Sequence, residues 1–224
     1  MMSNDVNIGR QFLIDEFGVG NETIERFDHY HSLVVKWQPA QNLVSRETLA
    51  HFWVRHICDS SALIKINGPK GTWLDFGSGA GFPGLVTAIL QKELSADDPS
   101  TVVHLVESNK RKVAFLRTVI RETGINAIVY SARIEEFIED SDLKPDFISA
   151  RAVTALKNLL AFSEHYVAKG SVCFFHKGRD INGEIAEAAN IFDFDLVKHT
   201  QVLPGSHQND GVIAEIGAIR RKTS

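Results

Sequence analysis

From residue 73 onward, short apolar runs alternate with longer segments whose apolar side chains recur at helical spacing. Five runs with strand character are separated by helical or polar segments, at residues 73–76, 101–107, 127–130, 145–149 and 171–175. Two more runs, at residues 196–202 and 211–219, follow one another and close the chain as a pair. Alternation of strand and helix is typical of a mostly parallel sheet with covered faces. The pattern therefore predicts an α/β domain built on a seven-stranded sheet.

The first 70 residues have a different pattern, in which apolar positions repeat every three or four residues. Helical spacing relates Ile24, Phe27, Val34 and Trp37. Ser45 is a typical N-cap and predicts a helix that continues to about Ile66. A turn-rich segment at residues 67–71 then precedes the first strand. We therefore predict a helical extension over residues 1–70 and a single domain over residues 71–224.

A glycine-rich turn follows the first predicted strand and leads into an apolar helical run. Glycine permits positive φ angles and lets a ligand approach the backbone without a Cβ in the way. Residues 77–81 fit the GxGxG turn of S-adenosylmethionine (SAM) methyltransferases, with Gly77 and Gly79 as its first two glycines. Residues 79–84 also fit the GxGxxG pattern of dinucleotide-binding proteins. A turn that binds no ligand is a third interpretation.

An acidic residue just before the turn helps to choose between the two ligands. Asp75 would repel a pyrophosphate docked on the N–H groups of the turn. A carboxylate suits SAM, which carries an ammonium and a sulfonium group and no phosphate. The sequence therefore favours SAM over NAD.

A second acid, Glu107, ends the second predicted strand. In this kind of fold, an acid at that position accepts hydrogen bonds from the ribose hydroxyls of the cofactor. The alternative is a solvated strand end or a helix cap. We assign Glu107 to the cofactor site as a prediction.

Composition limits the classes of partner. Apolar residues make up 44% of the 224 residues, enough for a large core, and the formal net charge is −4. An acidic protein must meet a polyanion through a local basic patch. The densest patch is on the predicted helix at residues 109–122, where a solvated helix face and an RNA-contacting face are both open interpretations. Its basic residues are Lys110, Arg111, Lys112, Arg117 and Arg121.

Cysteine usage and the apolar profile indicate a cytoplasmic protein. Cys58 and Cys173 lie far apart within apolar runs, which is typical of reduced core residues. We expect no metal site, because the nine histidines lack metal-binding spacing. We also expect no signal peptide and no membrane span.

Several motifs together resemble the family of ribosomal RNA small subunit methyltransferase G, also called glucose-inhibited division protein B. They include RHI-x-DS at residues 55–60, DFGSGAGFPG at residues 75–84, SAR at residues 149–151 and KG at residues 177–178. In one departure, the family more often has the arginine directly after the serine, whereas Ala150 intervenes here.

This resemblance implies a Rossmann-like, SAM-dependent enzyme that methylates N7 of a guanine in 16S rRNA. By motif position, it places Gly77 and Phe82 in the SAM pocket, Ile134 and Glu135 at the adenosine end, and Arg151 beside the cofactor. It also implies 16S rRNA or the small ribosomal subunit as the partner of a bacterial protein that acts as a monomer.

The chemistry of guanine N7 predicts which residues are needed. N7 carries a lone pair and no proton, so we expect no general base and assign no catalytic residue. Alignment of the reactants in a pocket poor in water can supply the rate enhancement. The candidates for RNA contact are Arg55, His56 and Lys177. Two other classes stay open, an NAD-dependent oxidoreductase and a non-catalytic RNA-binding protein on the same fold.

Overall fold

The computed structural model describes residues 4–95, 98–178, 181–206 and 211–223. Its first part is helical and precedes the sheet. It consists of α1 (Asn4–Phe17), α2 (Asn21–Gln41), α3 (Arg46–Leu49), a π-helix (Trp53–Cys58) and α4 (Asp59–Asn67). The predicted division into residues 1–70 and 71–224 stays a prediction.

A seven-stranded sheet forms the centre of the molecule, as the sequence predicts. Its strands are β1 (Trp73–Phe76), β2 (Val103–Val106), β3 (Ala127–Tyr130), β4 (Phe147–Arg151), β5 (Val172–Lys177), β6 (Phe192–Gln201) and β7 (Gly211–Arg221). They lie in the order β3-β2-β1-β4-β5-β7-β6. The first five are parallel, and β7 runs antiparallel to both β5 and β6. The strand order reverses between β1 and β4, and ligands bind at such a switch point.

Helices cover both faces of the sheet. They are α5 (Gly84–Leu94), α6 (Lys110–Thr123), α7 (Ile134–Asp140), α8 (Leu156–Val167) and α9 (Asn182–Ala189). One apolar core joins α5 and α6 to the N-terminal helices. A second core joins α7, α8 and α9 to the other face. The N-terminal helices therefore pack on the face of the sheet that α5 and α6 cover.

The N-terminal helices contact the glycine turn directly. Tyr30 of α2 is buried, and its hydroxyl donates a hydrogen bond to the carbonyl of Ala80 at 2.5 Å. The predicted helix from Ser45 to Ile66 is interrupted, because α3 ends at Leu49 and the π-helix follows. At the start of this π-helix, the Asp5 carboxylate accepts hydrogen bonds from the Trp53 and Val54 amides.

Candidate active site

The glycine turn connects β1 to α5 at the carboxyl edge of the sheet. Gly77 and Gly79 have φ angles of 62° and 58°, in the left-handed region that disfavours side chains. A Cβ on Gly77 would lie 2.7 Å from Cγ2 of Val153. Backbone conformation and close packing therefore both require glycine at position 77.

Asp75 lies beneath this turn. Its side chain is fully buried, and its Oδ1 accepts a hydrogen bond of 2.7 Å from the Ser149 hydroxyl. Its Oδ2 has no hydrogen-bond partner among the described residues, and a Cβ on Gly84 would lie 2.9 Å from that atom. Burial raises the pKa of Asp75 to about 7. Asp75 thus packs between Ser149 and Gly84 and presents no surface to a ligand.

Glu107 is fixed by two backbone amides. Oε2 accepts a hydrogen bond from Gly79 N at 2.9 Å, and Oε1 accepts one from Asn109 N at 2.7 Å. A carboxylate oxygen can accept more than one hydrogen bond, so both oxygens keep capacity for a ligand. The structure therefore brings together the two predicted parts of the site, the glycine turn and the end of β2.

A cavity of about 380 Å³ opens beside the turn, and we call it the turn cavity. Four predicted cofactor-site residues line it, namely Gly77, Glu107, Ile134 and Glu135. Gly79, also predicted for the cofactor site, does not line this cavity, and its N–H donates to Glu107, which does. The cavity thus combines a fixed carboxylate with an apolar wall, and these features fit the sugar and base of a nucleoside.

Phe82 has a different environment. Its ring is buried and stacks on the His56 ring, with centroids 4.7 Å apart and an angle of 20° between the planes. His56 is only 6% exposed, and neither ring nitrogen has a hydrogen-bond partner in the described part of the chain. Burial, followed by the charges of Arg151 and Arg55, lowers the pKa of His56 to about 3. His56 is therefore neutral at pH 7.

A second cavity of about 570 Å³ lies where β4 and β5 end, and we call it the strand-end cavity. Arg55, Arg151 and Lys177 line it. The Arg151 guanidinium donates to the Arg55 carbonyl through Nη2 at 2.9 Å. Its Nη1 lies 3.2 Å from Oδ2 of Asp59, and its Cζ lies 6.0 Å from the Phe82 ring centroid. Arg151 is therefore oriented mainly by residues that precede β1.

Lys177 is held with similar precision. Its side chain is 8% exposed, and its ammonium donates hydrogen bonds to the Thr154 carbonyl at 2.9 Å and to Glu184 at 2.8 Å. Glu184 also accepts a hydrogen bond of 2.6 Å from Leu156 N, at the start of α8. The Glu184 carboxylate thus fixes both the Lys177 ammonium and the first residue of α8.

The two cavities share a wall. Val153 and Thr154 line both of them. Ala152, which directly precedes this wall, has a φ of 56°, which is rare for a residue with a side chain. Such strained positions occur most often at functional sites. A ligand in one cavity is therefore separated from a ligand in the other by a single short segment.

Three residues of this site were not predicted from the sequence. Asp59 belongs to the RHI-x-DS motif, which signalled that the segment matters but not that Asp59 pairs with Arg151. Glu184 lies in a helix with no motif. No sequence signal marks Ala152, because alanine is not a residue that favours positive φ.

None of the helices in the described ranges is both long and apolar enough to cross a bilayer. No group of three or more His, Cys, Asp or Glu side chains in those ranges could hold a metal ion.

The strand order and the turn cavity define a Rossmann-like α/β protein with a site of nucleoside type. The precorrin-6y C5,15-methyltransferase of Geobacter metallireducens GS-15 superimposes with a TM-score of 0.51 at 13% identity, over 80% of this chain and 92% of its own. The cofactor-bound Rv0187 from MTB superimposes with a TM-score of 0.60 at 10% identity, over 96% and 98%. Such low identities show the fold alone.

Sequence comparison identifies the family. A family model described as rRNA small subunit methyltransferase G matches residues 23–213. A protein of that name from Sinorhizobium medicae is 43% identical over 208 residues, which cover 92% of this chain and 93% of the relative. The chain belongs to the rRNA small subunit methyltransferase G family. It is a methyltransferase, and its cofactor is SAM.

Proposed function

We propose that this enzyme transfers a methyl group from SAM to N7 of a guanine in the 16S rRNA of the small ribosomal subunit. The observation that carries the proposal is the pair of adjoining cavities, which have only Val153 and Thr154 as a common wall. The turn cavity suits a nucleoside cofactor, and the lining of the strand-end cavity includes three cations, Arg55, Arg151 and Lys177, and two acids, Asp59 and Glu184. The name of the relative from Sinorhizobium medicae supports ribosomal RNA as the substrate.

The turn cavity has the groups that SAM requires. Glu107 can accept hydrogen bonds from ribose hydroxyls, and Ile134 and Glu135 line the part assigned to the adenosine. Gly77 and Gly79 permit close approach of the backbone. We assign Phe82 and Arg151 to the boundary between cofactor and acceptor, because the Arg151 guanidinium lies over the Phe82 ring. When bound, SAM supplies an electrophilic methyl group.

The strand-end cavity suits an RNA base and its phosphate. Guanine presents O6 as an acceptor beside N7, so lysine and arginine can donate to O6 and leave the N7 lone pair free to attack the methyl group. Arg55, Arg151 and Lys177 provide such donors. Because N7 has no proton to lose, the residues of this cavity need only bind and align the base and exclude water. We assign no general base.

His56 has a packing role in this proposal. The neutral, buried ring packs against Phe82, so we do not assign His56 to RNA contact. Of the three predicted residues, Arg55 and Lys177 are proposed to contact RNA. We further propose that the enzyme acts as a monomer in the cytoplasm, where ribosomal subunits are assembled. The NAD-dependent oxidoreductase alternative is set aside, because the chain belongs to a methyltransferase family.

Methyl transfer from labelled SAM tests the proposal. The acceptors are small ribosomal subunits from a strain that lacks this activity and, in parallel, naked 16S rRNA from the same strain. We expect incorporation into one or both, and the preferred acceptor identifies the form of the substrate. Binding of SAM and RNA without any incorporation would instead indicate a non-catalytic RNA-binding protein.

A further inference from the structure

Helix α6 presents a row of cations that neither cavity uses. Lys110, Arg117 and Arg121 are exposed and are spaced by seven and four residues, which places them on one face of a helix. Arg111 is also exposed and flanks this row. We call the surface formed by these four residues the α6 face. It extends over about 16 Å, since an α-helix rises about 1.5 Å per residue.

Most of these cations have no partner within the protein. Arg121 pairs with Glu122 at 3.0 Å. The side chains of Lys110, Arg111 and Arg117 have no ion pair or hydrogen bond in the described ranges. Their charges are therefore available to a ligand. Because these side chains form no ion pair within α6, they do not stabilise the helix through salt bridges.

The position of two of these cations is unfavourable for the helix itself. Lys110 and Arg111 lie in the first turn of α6, where the helix dipole favours acidic residues, and that turn has no acid. The Asn109 side chain caps the helix by accepting hydrogen bonds from the Arg111 and Lys112 amides. The cap thus supplies the N-terminal stabilisation, and the cations act against it.

The α6 face begins at the active site. Lys110 comes three residues after Glu107, which lines the turn cavity. Arg133, at the start of the neighbouring helix α7, is exposed, lines the same cavity and forms no side-chain ion pair in the described part. At the opposite end of α6, Glu122 is paired with His29 and Arg121. Unpaired positive charge is therefore concentrated at the end of α6 that adjoins the cofactor.

We propose that the α6 face docks the phosphate backbone of ribosomal RNA that flanks the methylated guanine. This inference rests on the proposed function. The formal net charge of −4 means that RNA must be attracted by a local patch. Unpaired, exposed lysines and arginines bind phosphates without reading sequence, and so they position the RNA. The guanine itself is bound elsewhere, in the strand-end cavity.

The test compares two double variants in binding to naked 16S rRNA at several salt concentrations. Lys110→Gln/Arg117→Gln removes two cations from the α6 face. Lys70→Gln/Lys144→Gln removes two exposed cations that precede β1 and β4, at the opposite edge of the sheet. We expect the α6 variant to reduce the slope of log K against log salt by about 1.4, about 0.7 per lost contact with single-stranded RNA. We expect wild-type slope in the control.

Equal slopes for both variants would overturn the docking proposal. Weaker binding of the α6 variant to whole subunits, with unchanged binding to naked rRNA, would also overturn it and indicate a ribosomal protein as the partner. SAM affinity, measured by calorimetry, is expected to be unchanged in both variants. Failure of the proposed function is seen separately, as absence of methyl transfer by the wild-type enzyme.

Discussion

The Arg151 guanidinium and the Asp59 carboxylate, 3.2 Å apart, join the end of β4 to the first residue of α4. The Arg55 carbonyl accepts a hydrogen bond of 2.9 Å from the same guanidinium. A residue of the strand-end cavity is thus oriented by the helices that precede the sheet. The N-terminal helices are therefore part of the proposed acceptor site.

Replacement of Asp59 by asparagine tests this relationship. Asp59→Asn keeps the shape of the side chain and removes its charge, so Arg151 loses its ionic partner. Both side chains are about one-fifth exposed or less, with 21% for Arg151 and 16% for Asp59. The effect therefore lies between that of surface and buried pairs, and we expect kcat/KM for rRNA to fall about tenfold, or about 1.4 kcal/mol.

Two observations separate positioning from general destabilisation. SAM affinity is expected to stay within about twofold of wild type, because Asp59 does not line the turn cavity. The matched control is Asp28→Asn, which breaks the Arg10–Asp28 pair in the N-terminal helices and lines neither cavity. Equal losses of kcat/KM in the two variants would contradict a positioning role for Asp59.

Glu107→Gln is expected to weaken SAM binding. The amide has one acceptor oxygen, whereas the carboxylate of Glu107 accepts hydrogen bonds from two backbone amides and has capacity for the ribose. Hydrogen bonds to a charged group contribute about 1.5–3 kcal/mol each, so we expect Kd to rise at least tenfold by calorimetry. Glu139→Gln, at an exposed position of α7, serves as the control. Unchanged SAM affinity in Glu107→Gln would place the ribose elsewhere.

Gly77→Ala probes the wall between the cavities. The added Cβ would lie 2.7 Å from Val153, so either the turn or the shared wall must move. We expect SAM affinity to fall at least tenfold. The double variant Gly77→Ala/Val153→Ala is expected to recover part of it, with a cost of roughly 1–2 kcal/mol remaining for the left-handed backbone. If the second substitution restores nothing, the close contact with Val153 is not the reason for glycine at this position.

His56→Phe is expected to reduce the loss of stability in acid. The folded-state pKa of about 3 is lower than the usual value near 6.5, so the neutral ring contributes stability that is complete above about pH 6.5. That contribution is lost as the pH falls towards 3, and phenylalanine has no such titration. Urea unfolding at pH 7 and pH 4 measures the difference. The control is His165→Phe, at an exposed position of α8. Equal loss of stability in His56→Phe and wild type would contradict this origin.

The sheet was predictable because each strand is encoded locally. The observed bounds of β1 and β3 match the apolar runs at residues 73–76 and 127–130, and all seven strands were expected. The interruption of the helix after Ser45 was not predictable. The amides of Trp53 and Val54 donate hydrogen bonds to Asp5, which is almost fifty residues earlier. The spacing of apolar residues within a local segment cannot indicate such a distant contact.

In the candidate site, too, some features were predictable from the sequence and others depended on tertiary packing. The glycine turn and Glu107 were predicted from motif and strand position, and the structure places them in hydrogen-bond contact. The choice of SAM is confirmed by the family, although Asp75 does not select the ligand by direct repulsion of a pyrophosphate. Asp75 is buried beneath the turn and does not face a ligand. A sequence shows that an acid is present, but its direction depends on the packing of Ser149 and Gly84 around it.

Methylation of guanine at N7 in 16S rRNA is tested by determining the position and chemistry of the added methyl group. After reaction with SAM, the 16S rRNA is treated with borohydride and aniline, which cleaves the chain at N7-methylguanine. We expect cleavage at a single guanine that depends on both enzyme and SAM. Incorporation of the labelled methyl group without any new cleavage would contradict it, because the methyl group would then be on another atom.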